Sequence, residues 1–464
     1  MKIKVTFADQ ESIEMIHEKS VYILENIGVI MQSKEACEIF KRNGAKVDGE
    51  KVFVSRKMLD DALKSCKSKF DWYGRGNSVT VGGGESLVFP SYGPNYVIEN
   101  DVMRKPDIND YKNFHRLHES SDVIDGGTPY ILEPWEVPSD IRGNYRMATT
   151  LKYHTKPVMG MTAGAESSRD AIKMAKEFYG VDDRVVLLGL VNAIDPLRYA
   201  TDMIESLMEY AKENQGILLT AGGILGLSTP SSLLGSFAIN NAATLAGIVL
   251  IQLINPGNPI IYGCQGSSSN LTQITKAYGN LATAKSIYLT KAIADFYGLP
   301  SRSGGSVNDA KQVDYQAGAE TYSNLFASLV SGSDFFIMGA GILDTINAVG
   351  TEKFILDEYL IKGIKNQISD LTVDEDSFLM KDIEKVGAGG NFINRRTSKY
   401  YRKDIYLNPT FNNSNTNNWI ESGSPTVEEN AHKIYLERLE NCIDPINSPE
   451  QEKLLDKFIP AEFK

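Results

Sequence analysis

Seven apolar runs, each ending in glycine or another small residue and each followed by a helical stretch, dominate the chain from about residue 120 onward. They are VIDGGTPY (123–130), KPVMGMTAG (156–164), RVVLLGLVNA (184–193), ILLTAGG (217–223), NPIIYGCQG (258–266), LPSRSGG (299–305) and DFFIMGAG (334–341). The helical stretches start near Ser139, Ser167, Pro196, Pro230, Thr275, Ala310 and Thr351. Near-continuous apolar runs suit strands buried on both faces, and a repeat of roughly 30–40 residues suits strand–helix units. Seven such units in a row predict an α/β fold, a closed (β/α)8 TIM barrel, with VGAGGNFI (386–393) as the candidate eighth strand. An open doubly wound sheet is the alternative. It fits less well, because no G-x-G-x-x-G opens a helix after the first strand.

The flanks divide the chain into three expected parts. Residues 1–118 read as an N-terminal α/β cap: a helix over 11–27, a KVFVS strand, a helix at Lys57–Ser65, and glycine-broken strands in SVTVGGGESLVFPSYGPNYVIEN that suggest a lid. Residues 119–400 hold the barrel. Residues 401–464 form a C-terminal helical extension, with a helix at Val427–Leu439 capped by Thr426 and another starting near Ser448-Pro449. A length of 464 residues accommodates a barrel plus both additions.

The formal charge of 48 − 59 = −11 repels phosphate backbones and anionic lipid, so neither nucleic acid nor a membrane surface is an expected partner. The start MKIKVTFADQESIEMIHEKS lacks an apolar core and a small-residue cleavage site, which points to a cytoplasmic protein. Leu233–Ile254 is the longest apolar-leaning stretch. Asn240, Asn241, Thr244 and Gln252 interrupt it, which predicts a buried helix and not a membrane span. Cys37, Cys66, Cys264 and Cys442 form no C-x-x-C pair and have no histidine at zinc-finger spacing, so no metal site is expected.

Barrel active sites lie at the C-terminal ends of the strands. That rule selects Thr128, Tyr130, Met161, Asn192, Ala221–Gly223, Cys264, Gln265, Arg302 and Gly339–Gly341. No histidine falls at a strand end: His17, His115, His118, His154 and His432 all lie elsewhere. No carboxylate pair is there either, although Asp195 and Asp309 stand just beyond two ends. A rim of glycine, asparagine, arginine and aromatics suits chemistry that moves no proton. Arg302, after Leu299-Pro300-Ser301, either grips a ligand carboxylate bidentately or pairs with an acid of the rim. Tyr92, Tyr96, Tyr130 and Trp135 either pack normally or present faces to a cation.

TLAGIVLIQLINPGNPIIYG (244–263), GGSVNDAKQVDYQAGAE (304–320), GAGILD (339–344), VGAGGNFI (386–393) and the helix containing ENAHKIYLERL occur in an order that resembles the trimethylamine methyltransferase family over almost the whole chain. The resemblance implies a (β/α)8 barrel that hands a methyl group from an amine to a cobalt(I) corrinoid held by a partner protein. Some members use trimethylamine and carry an in-frame pyrrolysine. This chain has none, and so resembles the branch that demethylates betaines such as glycine betaine, proline betaine, carnitine or γ-butyrobetaine. The corrinoid is then supplied by a cognate corrinoid protein or as free cob(I)alamin, with no cofactor tightly bound in this chain, and a homo-oligomer is expected. Where relatives often read G-G-H-F-L, this chain has Asn391, and a His-Thr pair is replaced near Thr397-Ser398.

That implied reaction agrees with the residues. A quaternary nitrogen has no lone pair to protonate, so no acid–base team is required. The roles it implies are Arg302 and Asn192 for a substrate carboxylate, and Tyr92, Tyr96, Tyr130 and Trp135 around a trimethylammonium group. Gln265 and Cys264 are further candidates for the pocket lining. A catalytic residue with a proton-transfer role is not assigned. Two other readings remain: a betaine-binding, non-catalytic relative, which Asn391 would suit, and a barrel lyase or isomerase built on Lys311.

Overall fold

The computed structural model describes residues 8–264, 268–393 and 397–464. Eight parallel segments close on one another. The first is β1, Leu87–Val88, followed by β2, residues 125–128. Next come β3 (Val158–Met159), β4 (Leu187–Asn192), β5 (Gly216–Ala221) and β6 (Ile260–Cys264), then β7 (Arg302–Gly304) and β8 (Phe335–Ile337). β3 to β6 form one ladder and β7, β8 and β1 another. Three contacts join them: Asp125 N donates to Val88 O at 2.7 Å, Gly127 pairs with Val158, and Tyr262 N donates to Pro300 O at 2.8 Å. The circuit is a closed barrel.

Each strand is followed by a helix of the outer ring. In order these are α1 (Ile108–Ser120), α2 (Arg142–Tyr153), α3 (Ala165–Tyr179) and α4 (Thr201–Lys212), then α5 (Leu233–Ile254), α6 (Thr283–Tyr297), α7 (Tyr315–Ser331) and α8 (Thr351–Gln367). The expected (β/α)8 architecture is therefore present, with one correction. The eighth strand is not 386–393, where a short helix Met380–Val386 runs into exposed turns. Leu87–Val88, inside the segment read as a cap, supplies it. Only two residues long, it offers no periodicity to read, and a hairpin, Tyr96–Glu99 with Val102–Arg104, separates it from its helix.

Strand side chains alternate between the two faces of the barrel wall. Leu87, Phe89, Met159, Leu188, Leu190, Leu218, Ile261, Phe335 and Ile337 pack together as the barrel interior. The hairpin Phe70–Trp72 with Val79–Val81 adds Phe70, Trp72 and Val81 to that cluster. It enters from the N-terminal ends of the strands, where Tyr73 N donates to Val185 O at 2.8 Å. Trp72 stacks on Phe89 with centroids 4.7 Å apart and lies 6.4 Å from Phe335. Part of the glycine-broken segment read as a lid thus plugs the floor, and truncating Trp72 to alanine would cost about 3–5 kcal/mol.

Leu233–Ile254 is the buried helix the sequence predicts, packed against helices Gln10–Asn26 and Arg56–Ser65. Its polar residues are used: Asn241 donates to Ser20 and Tyr297 and accepts from Tyr262, all at 2.6–2.9 Å. The C-terminal helix Val427–Asn441 has Thr426 as its N-cap, in a capping box with Glu429, and packs on α8 and α1. His432 meets Glu352 at 2.6 Å, and Arg438 pairs with the buried Glu358 at 2.5 Å.

Candidate functional site

A cavity of about 500 Å³ opens at the C-terminal ends of the strands, directly above the plugged interior. Leu190 and Met338 belong both to that interior packing and to the cavity lining. The polar layer above them follows from strand parity. Asn192, Thr220, Gly263 and Arg302 lie side by side on β4 to β7, facing inward like Leu190, Leu218 and Ile261 two residues earlier.

Gly263 has a specific purpose in this layer. A Cβ there would come 2.6 Å from Leu219 O, 2.9 Å from Thr220 Cγ2 and 3.4 Å from Arg302 Cδ. Its bare backbone lets β5, with Leu219 O and the Thr220 side chain, approach β6 closely, while Arg302 Cδ passes at an ordinary contact distance. Burial lowers the Arg302 guanidinium to about 10, while Tyr278 pulls the other way, so the group stays charged at neutral pH. Thr220 Oγ1 donates to Asn192 Oδ1, which orients the asparagine amide.

Three further polar side chains enter the lining from loops. Asp195 follows β4 and is accommodated because Gly223 has no Cβ, which would stand 2.9 Å from its carboxyl carbon. Burial pushes the Asp195 carboxyl up to about 6, against the pull of Lys276. Lys276 and Tyr278 come from the loop between β6 and α6, where a small ladder, Ser269–Asn270 with Thr275–Lys276, folds over the mouth. Lys276 Nζ donates to Tyr278 Oη at 3.0 Å. Ser269 Oγ anchors the loop to Leu225 O at 2.6 Å, and Asn324 Nδ2 holds Tyr278 O at 3.2 Å.

The structure brings Arg302, Asn192 and Tyr92 to this cavity. Ala221 and Gly222 line it as well, while Tyr130, Tyr96, Trp135 and Cys264 lie elsewhere. Tyr130 stands behind Tyr92, with ring centroids 4.7 Å apart, its hydroxyl accepting from Thr162 N and its face already covered by Arg146 at 5.3 Å. Tyr96 packs beside Ile98, Ala310 and Leu343. Trp135 is 42 % exposed, donates to Asn95 O, and has Lys105 and Arg142 over its ring at 5.3 and 5.7 Å. Cys264 has the wrong parity: it points out into the helix layer, its thiol toward Phe237 O at 3.8 Å and its pKa raised by burial. Gln265 lies outside the described residues. Asn391 is exposed on the segment after Met380–Val386 and away from the cavity lining.

Sequence reasoning missed Thr220, Lys276 and Tyr278. Thr220 follows from Asn192 once the register of β4 and β5 is known. The other two had a signal in the 18 residues between Cys264 and Thr283, far longer than an ordinary strand-to-helix loop and typical of a functional one.

Comparison with known proteins places this geometry in a family. The trimethylamine methyltransferase (MTTB) family model matches residues 2–462. A glycine betaine methyltransferase of Desulfitobacterium hafniense (strain Y51) is 34 % identical, covering 99 % of this chain and 98 % of its own. An L-carnitine:corrinoid methyltransferase and a proline betaine:corrinoid methyltransferase of Eubacterium limosum are 32 % and 31 % identical, each over 99 % of this chain and 98 % of theirs. In fold, the chain is similar to the Methanosarcina barkeri monomethylamine methyltransferase, with a TM-score of 0.57 at 12 % identity, covering 95 % of this chain and 89 % of that one. The chain belongs to the trimethylamine methyltransferase family.

Proposed function

We propose that this chain moves a methyl group from a betaine-type quaternary amine to the cobalt(I) corrinoid of a partner corrinoid protein, in the cytoplasm. The observation that carries the reading is the charge pattern of the cavity: Arg302 and Lys276 against Asp195 leave one net positive charge among these three side chains. That balance suits a zwitterion whose carboxylate is held, and disfavours a bare cation such as choline. The relatives named for glycine betaine, carnitine and proline betaine share that chemistry.

In the reaction, cobalt(I), here a substrate, supplies the electron pair of the new cobalt–carbon bond. The carbon–nitrogen pair returns to nitrogen, and a neutral tertiary amine leaves. No proton is exchanged. The work of this chain's residues is to bind and aim. Arg302 holds the carboxylate, with Asn192 Nδ2 as a second donor. Tyr92 offers a face to the onium group, worth about 0.5–2 kcal/mol. Leu190, Ile287 and Met338 keep the reacting end apolar, which favours a transition state that is losing charge. Holding the donor in line accounts for the largest share, roughly 7–11 kcal/mol in favourable cases.

The test is a panel of glycine betaine, proline betaine, carnitine, γ-butyrobetaine, choline and trimethylamine, each incubated with the protein and cob(I)alamin. The reading predicts the methylcobalamin spectrum with at least one betaine and not with choline. A purified protein that binds betaines tightly but methylates no corrinoid would instead be a sensor.

A further inference from the structure

Asp344, Thr345 and Ile346 follow β8 in succession at φ 51°, 57° and 88°. Threonine and isoleucine are β-branched and are the least suited residues to this left-handed region. Such a conformation persists only where its surroundings over-determine it, and these do. Asp344 N donates to Ala310 O at 2.7 Å, and Thr345 N to Asn308 O at 2.9 Å. Thr345 Oγ1 donates to Asp309 Oδ1 at 2.8 Å, and Lys311 Nζ pairs with Asp344 Oδ1 at 2.6 Å. The buried Asn308 is itself fixed by Ser306 O, Thr321 Oγ1 and Ile342 O.

Apart from Asn347, which donates to Asp344 from within the turn, these anchors come from the 304–320 block, yet Asn308, Asp309 and Lys311 do not line the cavity. Of the turn, Ile346 does. What the strained turn delivers is therefore one stiff apolar side chain at the cavity wall. We propose that Ile346 is a specificity-determining residue, whose bulk limits the size of the onium substrate. A β-branched side chain has few rotamers and cannot fold aside as leucine or methionine can. It offers nothing to a carboxylate, so it acts on the alkyl part of the donor.

This inference rests on the betaine reading of the cavity, and calorimetry separates the two. Binding of glycine betaine, proline betaine and γ-butyrobetaine is measured for the full chain, for Ile346→Gly and for Thr345→Ser. Glycine accepts a positive φ without steric strain, so Ile346→Gly is compatible with the turn. Should it not fold, Ile346→Asn, which also tolerates this region, takes its place. Opening the wall shifts the ratio of affinities toward a bulkier betaine about tenfold or more. Thr345→Ser keeps the hydroxyl on Asp309 and leaves the ratio unchanged. Unchanged ratios in the Ile346 variant overturn the inference alone, as does an equal shift in Thr345→Ser, which would mean general loosening. If the unaltered chain binds none of the three, the betaine reading falls and the inference with it.

Discussion

Thr220 donates its hydroxyl to Oδ1 of Asn192 across the β4–β5 ladder, so the asparagine's remaining donor capacity lies in Nδ2 at the cavity. Thr220→Val keeps the shape and removes the hydroxyl. The amide is then free to turn its oxygen inward, toward a ligand carboxylate. The expected outcome is a fall in betaine affinity of about 0.5–1.5 kcal/mol, up to roughly tenfold, with little change in thermal stability. Calorimetric titration with glycine betaine checks it.

Arg302 and Gly263 should fail in different ways. Arg302→Ala removes a charged, hydrogen-bonding partner of the substrate carboxylate, for an expected loss of about 2–5 kcal/mol in kcat/KM toward betaines. Arg302→Lys restores the charge but not the planar fork, and recovers only part of it. Gly263→Ala leaves the arginine in place but puts a Cβ 2.9 Å from Thr220 Cγ2 and 2.6 Å from Leu219 O. The clash is with strand backbone, so Gly263→Ala should lower the melting temperature, followed by circular dichroism, as well as the activity. Near-normal turnover by Arg302→Ala would remove the carboxylate clamp.

The aromatic residues should not be equivalent. Tyr92 lines the cavity, so Tyr92→Ala should lose about 0.5–2 kcal/mol of onium binding and Tyr92→Phe much less. Trp135 is exposed and its ring already meets Lys105 and Arg142. Trp135→Ala should bind betaines as the unaltered chain does. Equal losses in the two alanine variants would place the cage elsewhere.

Asp195 gives the site a pH signature. Burial raises its carboxyl to about 6, above an unfolded value of about 3.9. A raised pKa favours the fold below the unfolded value, and that contribution is lost as pH climbs through 6. At neutral pH the buried charge therefore costs on the order of 2–3 kcal/mol. Asp195→Asn should melt higher than the unaltered chain at pH 7.5, with the gap falling to about half by pH 5 and closing below about pH 4. A gap independent of pH would show that the charge is not the cause.

Much of the barrel was legible because buried parallel strands need long apolar runs. β3 to β8 each fall inside such a run, Gly216 alone lying one residue outside, and Thr426 and Asn241 do what helix-cap and buried-helix chemistry require. Leu87–Val88 was not legible: barrel closure, a long-range property, makes two residues a strand. At the site, strand-end position alone found Arg302 and Asn192 but admitted Cys264, since parity depends on a register that composition does not reveal. Tyr96, Tyr130 and Trp135 have rings that suit a cation, but what covers a ring is set by the tertiary fold: Arg146 for Tyr130, Arg142 for Trp135.

A quaternary donor that is only held and aimed should transfer its methyl group with no proton in flight. Single-turnover formation of methylcobalamin from cob(I)alamin and the best betaine, followed by absorbance in H2O and in D2O, measures this directly. The predicted ratio of rates is about 1, whereas a ratio of about 2 or more would reveal a proton moving in the transition state and contradict it.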